Sequence, residues 1–242
     1  MGAGEIVILS TAILVAGLVR GITGFAGPLI MVPVLGFFTD TVSAVATSTI
    51  VDLSSNMSLF PEALRKASHS TVLGLIGGAL LTIPFGGYAL LAFDAQTINR
   101  TMYAVVGLAS LVLLSGWRYG KPLLPRHFFV VGAGSGAILG ATSFGIVVLP
   151  FLFGGADSAS RGRANFILWA FFCAAVGFTI VLIGGRIGPP ELLRAAVLIP
   201  FYLAGTFIGN RYAGRIDDAL LRRIVLVIML AISIAGVITQ SV

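Results

Sequence analysis

The sequence predicts an all-α polytopic membrane protein of two inverted repeats, each a broken, re-entrant helical hairpin followed by three transmembrane helices. Three observations predict it. The chain is 57% hydrophobic and 10% charged, with mean hydropathy +1.05, whereas a soluble domain carries about 25% charged residues. Eight apolar segments follow one another, most of them long enough to cross a hydrocarbon core, which takes roughly 20 apolar residues in a helix. Two of the eight are interrupted by glycine, serine and threonine, and the whole pattern recurs in the same order in both halves.

The segments run from Glu5 to Phe38, Val42 to Phe60, Ser70 to Phe93, Ile98 to Trp117, His127 to Phe153, Ala164 to Ile183, Glu191 to Tyr212 and Ala219 to Thr239. The first is 34 residues long and contains GITGFAGP at Gly21 to Pro28; the fifth contains GATSFG at Gly140 to Gly145. Each reads as two half-helices joined by a break. GLVRGITGFAGPLIMVP, ending at Pro33, matches GSGAILGATSFGIVVLP, ending at Pro150. Further on, DAQTINR at Asp94 to Arg100 matches DDALLRR at Asp217 to Arg223, with Gly86 and Gly209 keeping the same distance upstream. Similarity at two separated places in one order argues for duplication, with a first repeat over 1–120 and a second over 121–242.

The net charge of +6 does not signal nucleic acid, because the fifteen Lys and Arg stand singly or in pairs between apolar runs. They encode orientation instead. If all eight segments cross, the loop charges divide evenly, seven against seven. If both broken segments are re-entrant, eleven gather on one side and only Arg100, Arg186 and Arg194 remain opposite, the asymmetry the positive-inside rule favours. Each half then makes three full crossings, the halves are inverted, and both termini face outward. Met1 to Val19 lacks a basic start and carries Glu5, so it is expected to be retained as a span rather than cleaved. The single cysteine, Cys173, lies in an apolar run and reads as a packing residue, with no disulfide framework or metal spacing.

Irregular backbone at membrane depth is tolerated only where protein or a water-filled cavity satisfies it, so two breaks point to a central site. Arg20 directly precedes the first break. A charge there costs about 2.5–3.5 kcal/mol on insertion scales and demands a partner. Two readings stay open: a ligand whose planar fork takes carboxylate or sulfonate oxygens, or a structural role, either paired with Asp52, the only acid in the second segment, or snorkelling to an interface. Asp52 is in turn a candidate proton carrier, since burial favours its neutral form while a nearby Arg20 favours the charged one. The run Asp52, Ser54, Ser55, Asn56 and Ser58 covers more than one helix face, so part of it looks into protein or water. Exposed N–H groups at the breaks carry positive partial charge. The candidates are Gly21, Thr23, Gly24 and Phe25 in the first half and Gly140, Thr142, Ser143 and Phe144 in the second. Asn165 and Trp169 are candidates to line the same cavity.

Enzyme readings have less support. GAGSG at Gly132 to Gly136 places a candidate nucleophile, Ser135, in a helix, but His69 and His127 sit at membrane edges rather than beside it. Gly132 and Gly136 fit a close helix-packing surface better. No metal cluster, cofactor motif or phosphate-binding loop is legible.

The pattern G-x-T-G-F-x-G-P-L-x-x-V-P from Gly21 to Pro33, its weaker echo at Gly140 to Pro150, AVATST at Ala44 to Thr49 and the two four-segment halves together resemble the sulfite exporter TauE/SafE family. The resemblance implies a bacterial inner-membrane exporter of sulfite or small organosulfonates such as sulfoacetate. The second half departs from the first, lacking counterparts of Pro28 and Arg20. The expected function is thus a secondary transporter of a small anion by alternating access, with proton coupling through Asp52. An anion channel, an intramembrane hydrolase and a membrane scaffold are the alternatives. The expected partners are the anion, the lipid bilayer and, as an open question, a second copy of the chain; no cofactor or nucleic acid is expected.

Overall fold

The computed structural model describes residues 3–39, 41–92, 95–119, 123–142, 145–155, 157–183 and 187–239, and among them every regular element is helical. The elements are α1 (Ala3–Thr23), α2 (Gly27–Gly36), α3 (Thr41–Lys66), α4 (His69–Ala92), α5 (Ala95–Leu114), α6 (Pro125–Thr142), a 3-10 turn (Ile146–Val148), α7 (Leu149–Phe153), α8 (Ala159–Ile183), α9 (Pro189–Ala213) and α10 (Asp218–Thr239). Stretches of α8, α9 and α10 are long and apolar enough to cross a membrane: Ala159–Thr179, Pro189–Ala213 and Asp218–Ile238. Large apolar side chains such as Leu73, Phe85, Val130, Leu193 and Phe207 face outward, which suits lipid rather than water.

The chain forms two compact units. The first holds residues 1–62 and 174–216, the second 63–173 and 217–242. In the first unit α1 lies on α9 with almost no space between backbones. A Cβ on Gly17 would strike the carbonyl of Tyr202, and one on Gly21 that of Thr206; Gly205 and Gly209 meet Leu14 and Leu18 in the same way. Both helices carry glycines four apart, and glycine is what lets two backbones approach this closely. The contacts climb together along both chains, so α1 and α9 run parallel.

Helix α3 also runs parallel to α9, held by side-chain rungs that advance in step. Ser43 Oγ donates to Glu191 Oε1 at 2.9 Å, Tyr202 Oη to Asp52 Oδ1 at 2.9 Å, and Asn210 Nδ2 to Glu62 Oε2 at 2.6 Å. Between them Ser55 Oγ and Thr206 Oγ1 lie 3.4 Å apart. With α1 and α3 both parallel to α9, the intervening α2 must bring the chain back. Its residues Met31 and Leu35 join the apolar core of Leu9, Ile13, Ala16, Val51, Ala195 and Leu198.

The second unit pairs α4 with α6, also parallel. Gly132 lies against Leu75 and Gly136 against Ala79, both without room for a Cβ, and Thr82 Oγ1 donates to the Ala133 carbonyl at 2.7 Å. The expected packing role of Gly132 and Gly136 is what the chain uses them for. Helices α5 and α10 are antiparallel, with Gly107 meeting Ser233 and Gly236 meeting the Tyr103 ring. Arg222 of α10 closes the end of the second broken segment: Nη1 donates to the carbonyls of Phe153 (2.5 Å) and Gly155 (3.1 Å), and Nη2 to that of Asp157 (2.6 Å). These carbonyls belong to the last residue of α7 and the turn after it, where a helix has no intrahelical donors left to offer.

The first broken segment is interrupted where expected, between Thr23 and Gly27, but its arms are unequal. The first arm, α1, has 21 residues and α2 only 10; at 1.5 Å per residue α1 is about 31 Å long, which corrects the expectation of two half-helices.

Candidate anion site

The first break is built by Thr23, Gly24 and Pro28. Thr23 Oγ1 donates to the Val19 carbonyl at 2.8 Å and accepts the N–H groups of Phe25 and Ala26, each at 3.3 Å. Gly24 takes φ 87°, a left-handed conformation that other residues reach only with strain, and its N–H donates to the Arg20 carbonyl at 2.7 Å. Pro28 then occupies the first turn of α2, where its missing N–H costs nothing. The N–H of Phe25, expected to face an anion, and that of its neighbour Ala26 are therefore engaged by Thr23. Gly21 serves the α1–α9 contact.

Turning the chain at Gly24 leaves Arg20 in the interior, 1% exposed. Its Nε lies 3.1 Å from Asp52 Oδ1 and its Nη2 3.5 Å from Asp52 Oδ2. Nη2 also donates to Asn56 Oδ1 at 2.5 Å. The Nε contact is ionic rather than an aligned hydrogen bond, since that atom is buried without a hydrogen-bond partner. Asn56 Nδ2 returns to Asp52 Oδ2 at 2.9 Å and to the Asp52 carbonyl at 3.1 Å. Tyr202, fully buried, completes the group through Asp52 Oδ1, and its hydroxyl fills the space a Cβ on Gly27 would need. Of the two readings left open by the sequence, the Arg20–Asp52 pair is the one the side chains adopt.

Gly140 and Thr142 belong to the last turn of α6, while Ser143 and Phe144 lie outside the described residues. Asn165 is buried and its Oδ1 accepts the Ser68 N–H at 2.7 Å, so it fastens the start of α4. Trp169 is 1% exposed and packs on Phe166 with ring centroids 5.6 Å apart. Its Nε1 is buried with no hydrogen-bond partner among the described residues, and its ring fills the space beside Gly145. Ser135 Oγ is likewise buried without a partner, and His127 Nδ1 accepts the Leu124 N–H at 3.0 Å. Cys173 is a buried free thiol. No group of His, Cys, Asp and Glu among the described residues is arranged to hold a metal.

Sequence reasoning missed Tyr202. A signal was available: with Gly205, Thr206 and Gly209 it occupies positions i, i+3, i+4 and i+7, one face of α9. A phenol on a face otherwise made of small residues needs a buried acceptor.

Apolar helices enclosing a buried arginine–carboxylate group beside a helix break define a multi-pass membrane protein with an intramembrane polar site, the class to which transporters belong. The family model described as sulfite exporter TauE/SafE matches residues 9–236. The chain belongs to the sulfite exporter TauE/SafE family. A search of curated proteins finds no match.

Proposed function

We propose that this protein exports a small oxyanion, sulfite or an organosulfonate such as sulfoacetate, by alternating access, with Arg20 as the anion ligand and Asp52 as the proton carrier. The observation that carries the reading is the Arg20 guanidinium, 1% exposed at the first break and already engaged with a carboxylate. An interior that accommodates one oxyanion on this fork has the chemistry for another. Family membership supplies the sulfur chemistry. Asn56 holds both partners of the pair, while Gly21, Thr23, Gly24 and Phe25 form the frame that places Arg20. In the second half the residues proposed to meet the anion are Gly140, Thr142, Ser143 and the indole N–H of Trp169, with Asn165 positioning its helix.

The proposed topology is two inverted repeats, 1–120 and 121–242, with both termini in the periplasm and the protein in the inner membrane. What supports it is the charge asymmetry together with helix direction. If every segment crossed, α1 and α3 would run antiparallel, whereas both run parallel to α9. Cysteines placed at Ser68 and Asp157 should both label from the cytoplasmic side; labelling from opposite sides would sink this topology.

The functional test is uptake into proteoliposomes of labelled sulfite and sulfoacetate against acetate, with and without a pH gradient. Saturable, gradient-dependent flux of a sulfur oxyanion is expected, and Asp52→Asn should remove its pH dependence. Flux of none of these anions would withdraw the assignment.

A further inference from the structure

Three hydrogen-bond donors and one ionic contact converge on the Asp52 carboxylate. Arg20 Nε and Tyr202 Oη address Oδ1 at 3.1 and 2.9 Å. Arg20 Nη2 and Asn56 Nδ2 address Oδ2 at 3.5 and 2.9 Å. They come from three helices, α1, α9 and α3, and Arg20, Asn56 and Tyr202 are each no more than 1% exposed. Two oxygens side by side on the Nε–Nη2 edge of a guanidinium, each with a second donor, is the arrangement that binds a free oxyanion. The Asp52 side chain is the least buried member of the ion pair, 13% exposed against 1% for Arg20.

We infer that these donors are a preformed oxyanion cradle whose resident occupant is the protein's own Asp52 carboxylate, which a permeating anion displaces. The inference deepens the functional reading above and rests on it for the identity of the anion. The cradle takes the class of small anions that offer two oxygens at carboxylate spacing, which carboxylates, sulfite and sulfonates share. Asp52 is then a competitor as well as a partner. While it occupies the cradle, only the fraction of molecules with the carboxylate swung away can bind ligand, and the apparent affinity falls by that fraction. Its removal should therefore tighten anion binding, the opposite of what removing an ordinary ligand-contacting residue does.

The test uses the purified full chain in detergent. Asp52→Ala removes the carboxyl group and leaves a space that formate matches atom for atom. Formate and sulfite should raise the unfolding temperature of Asp52→Ala, and sulfite should bind it about tenfold or more tighter than it binds wild type. Chloride at equal ionic strength should do neither. Adding Arg20→Gln to Asp52→Ala should abolish the effect. Should Asp52→Ala not fold, Asp52→Asn, which keeps the side-chain shape, should bind sulfite about tenfold tighter than wild type on the same grounds. Equal or weaker sulfite binding by the folded variant would overturn the inference. Oxyanion-specific rescue in a protein whose wild type carries no flux would keep the cradle and remove the transport reading; flux without rescue would do the reverse.

Discussion

Replacing Arg20 and Asp52 singly and together measures what the buried pair contributes. In Arg20→Gln the carboxylate loses its countercharge but keeps hydrogen bonds from Tyr202 and Asn56, both at 2.9 Å. Breaking a buried pair costs about 3–5 kcal/mol, and the two retained donors place this variant at the lower end, about 3 kcal/mol. In Asp52→Asn the guanidinium loses its countercharge and one of two acceptor oxygens, and it is the more deeply buried partner, 1% exposed against 13%, so the loss should be larger, about 4 kcal/mol. The double variant buries no charge, and its two amides can bond each other. It should therefore be no worse than Asp52→Asn alone, so the two losses fail to add by about 3 kcal/mol. The assay is equilibrium unfolding in mixed micelles at neutral pH, followed by circular dichroism in a buffer free of added oxyanions. Losses that add to within about 0.5 kcal/mol would show that the side chains do not act as a unit.

Three further predictions concern the frame. Gly205→Val should destabilise by about 1–3 kcal/mol, because its side chain meets the Leu14 backbone, whereas Gly134→Ala, with nothing within 4 Å of its Cβ, should gain about 0.5–1 kcal/mol of helix preference; thermal unfolding separates them. Arg222→Met should lose about 3 kcal/mol by leaving the carbonyls of Phe153, Gly155 and Asp157 without their donor, and hydrogen exchange should rise around 153–157. Tyr119, in the loop after α5, is pushed up to about 12 by burial first and the Asp157 charge second, with Arg222 opposing; its hydroxyl donates to the Phe151 carbonyl. The fold thus favours its neutral form: that contribution is intact below the ordinary tyrosine value near 10 and is lost as pH rises through about 12. Alkaline unfolding of Tyr119→Phe should lack this component, and identical curves would contradict it.

The first break was legible because its causes are local. Gly24 adopts a backbone conformation that favours glycine, and Pro28 cannot donate within a continuing helix. The charge pair was legible as an alternative because Arg20 is the only basic residue deep in an apolar run and Asp52 the only acid in the next segment. The sequence offers Thr23 as a ligand donor, yet its hydroxyl serves the backbone of its own turn, the local competition short polar side chains usually enter. Tyr202 and the rungs from Glu191 to Asn210 were beyond reach for a different reason. They join α3 to a helix about 150 residues away, and a tyrosine in an apolar span is by itself an ordinary anchor.

On the proposed repeat register only the first half carries the charge. Aligning Pro33 with Pro150 sets Arg20 opposite Ala137 and Asp52 opposite Trp169; aligning Gly86 with Gly209 sets Tyr202 opposite Ala79. In the first unit the space beside the break is filled by the Tyr202 hydroxyl, which meets Gly27 and holds Asp52. In the second unit the indole of Trp169 fills the corresponding place against Gly145 by itself, with Ala79 packed on Gly136. A single large ring thus stands where the other unit assembles a guanidinium, a carboxylate and a phenol. Both solutions fill volume, but only the first leaves exchangeable oxygens on a fixed cation. A Trp169→Asp change should therefore not create a second anion site, because Ala137 and Ala79 offer it neither countercharge nor donor. Gain of sulfite affinity in Trp169→Asp would contradict this reading, since the variant adds a negative charge and removes the indole N–H proposed to meet the anion.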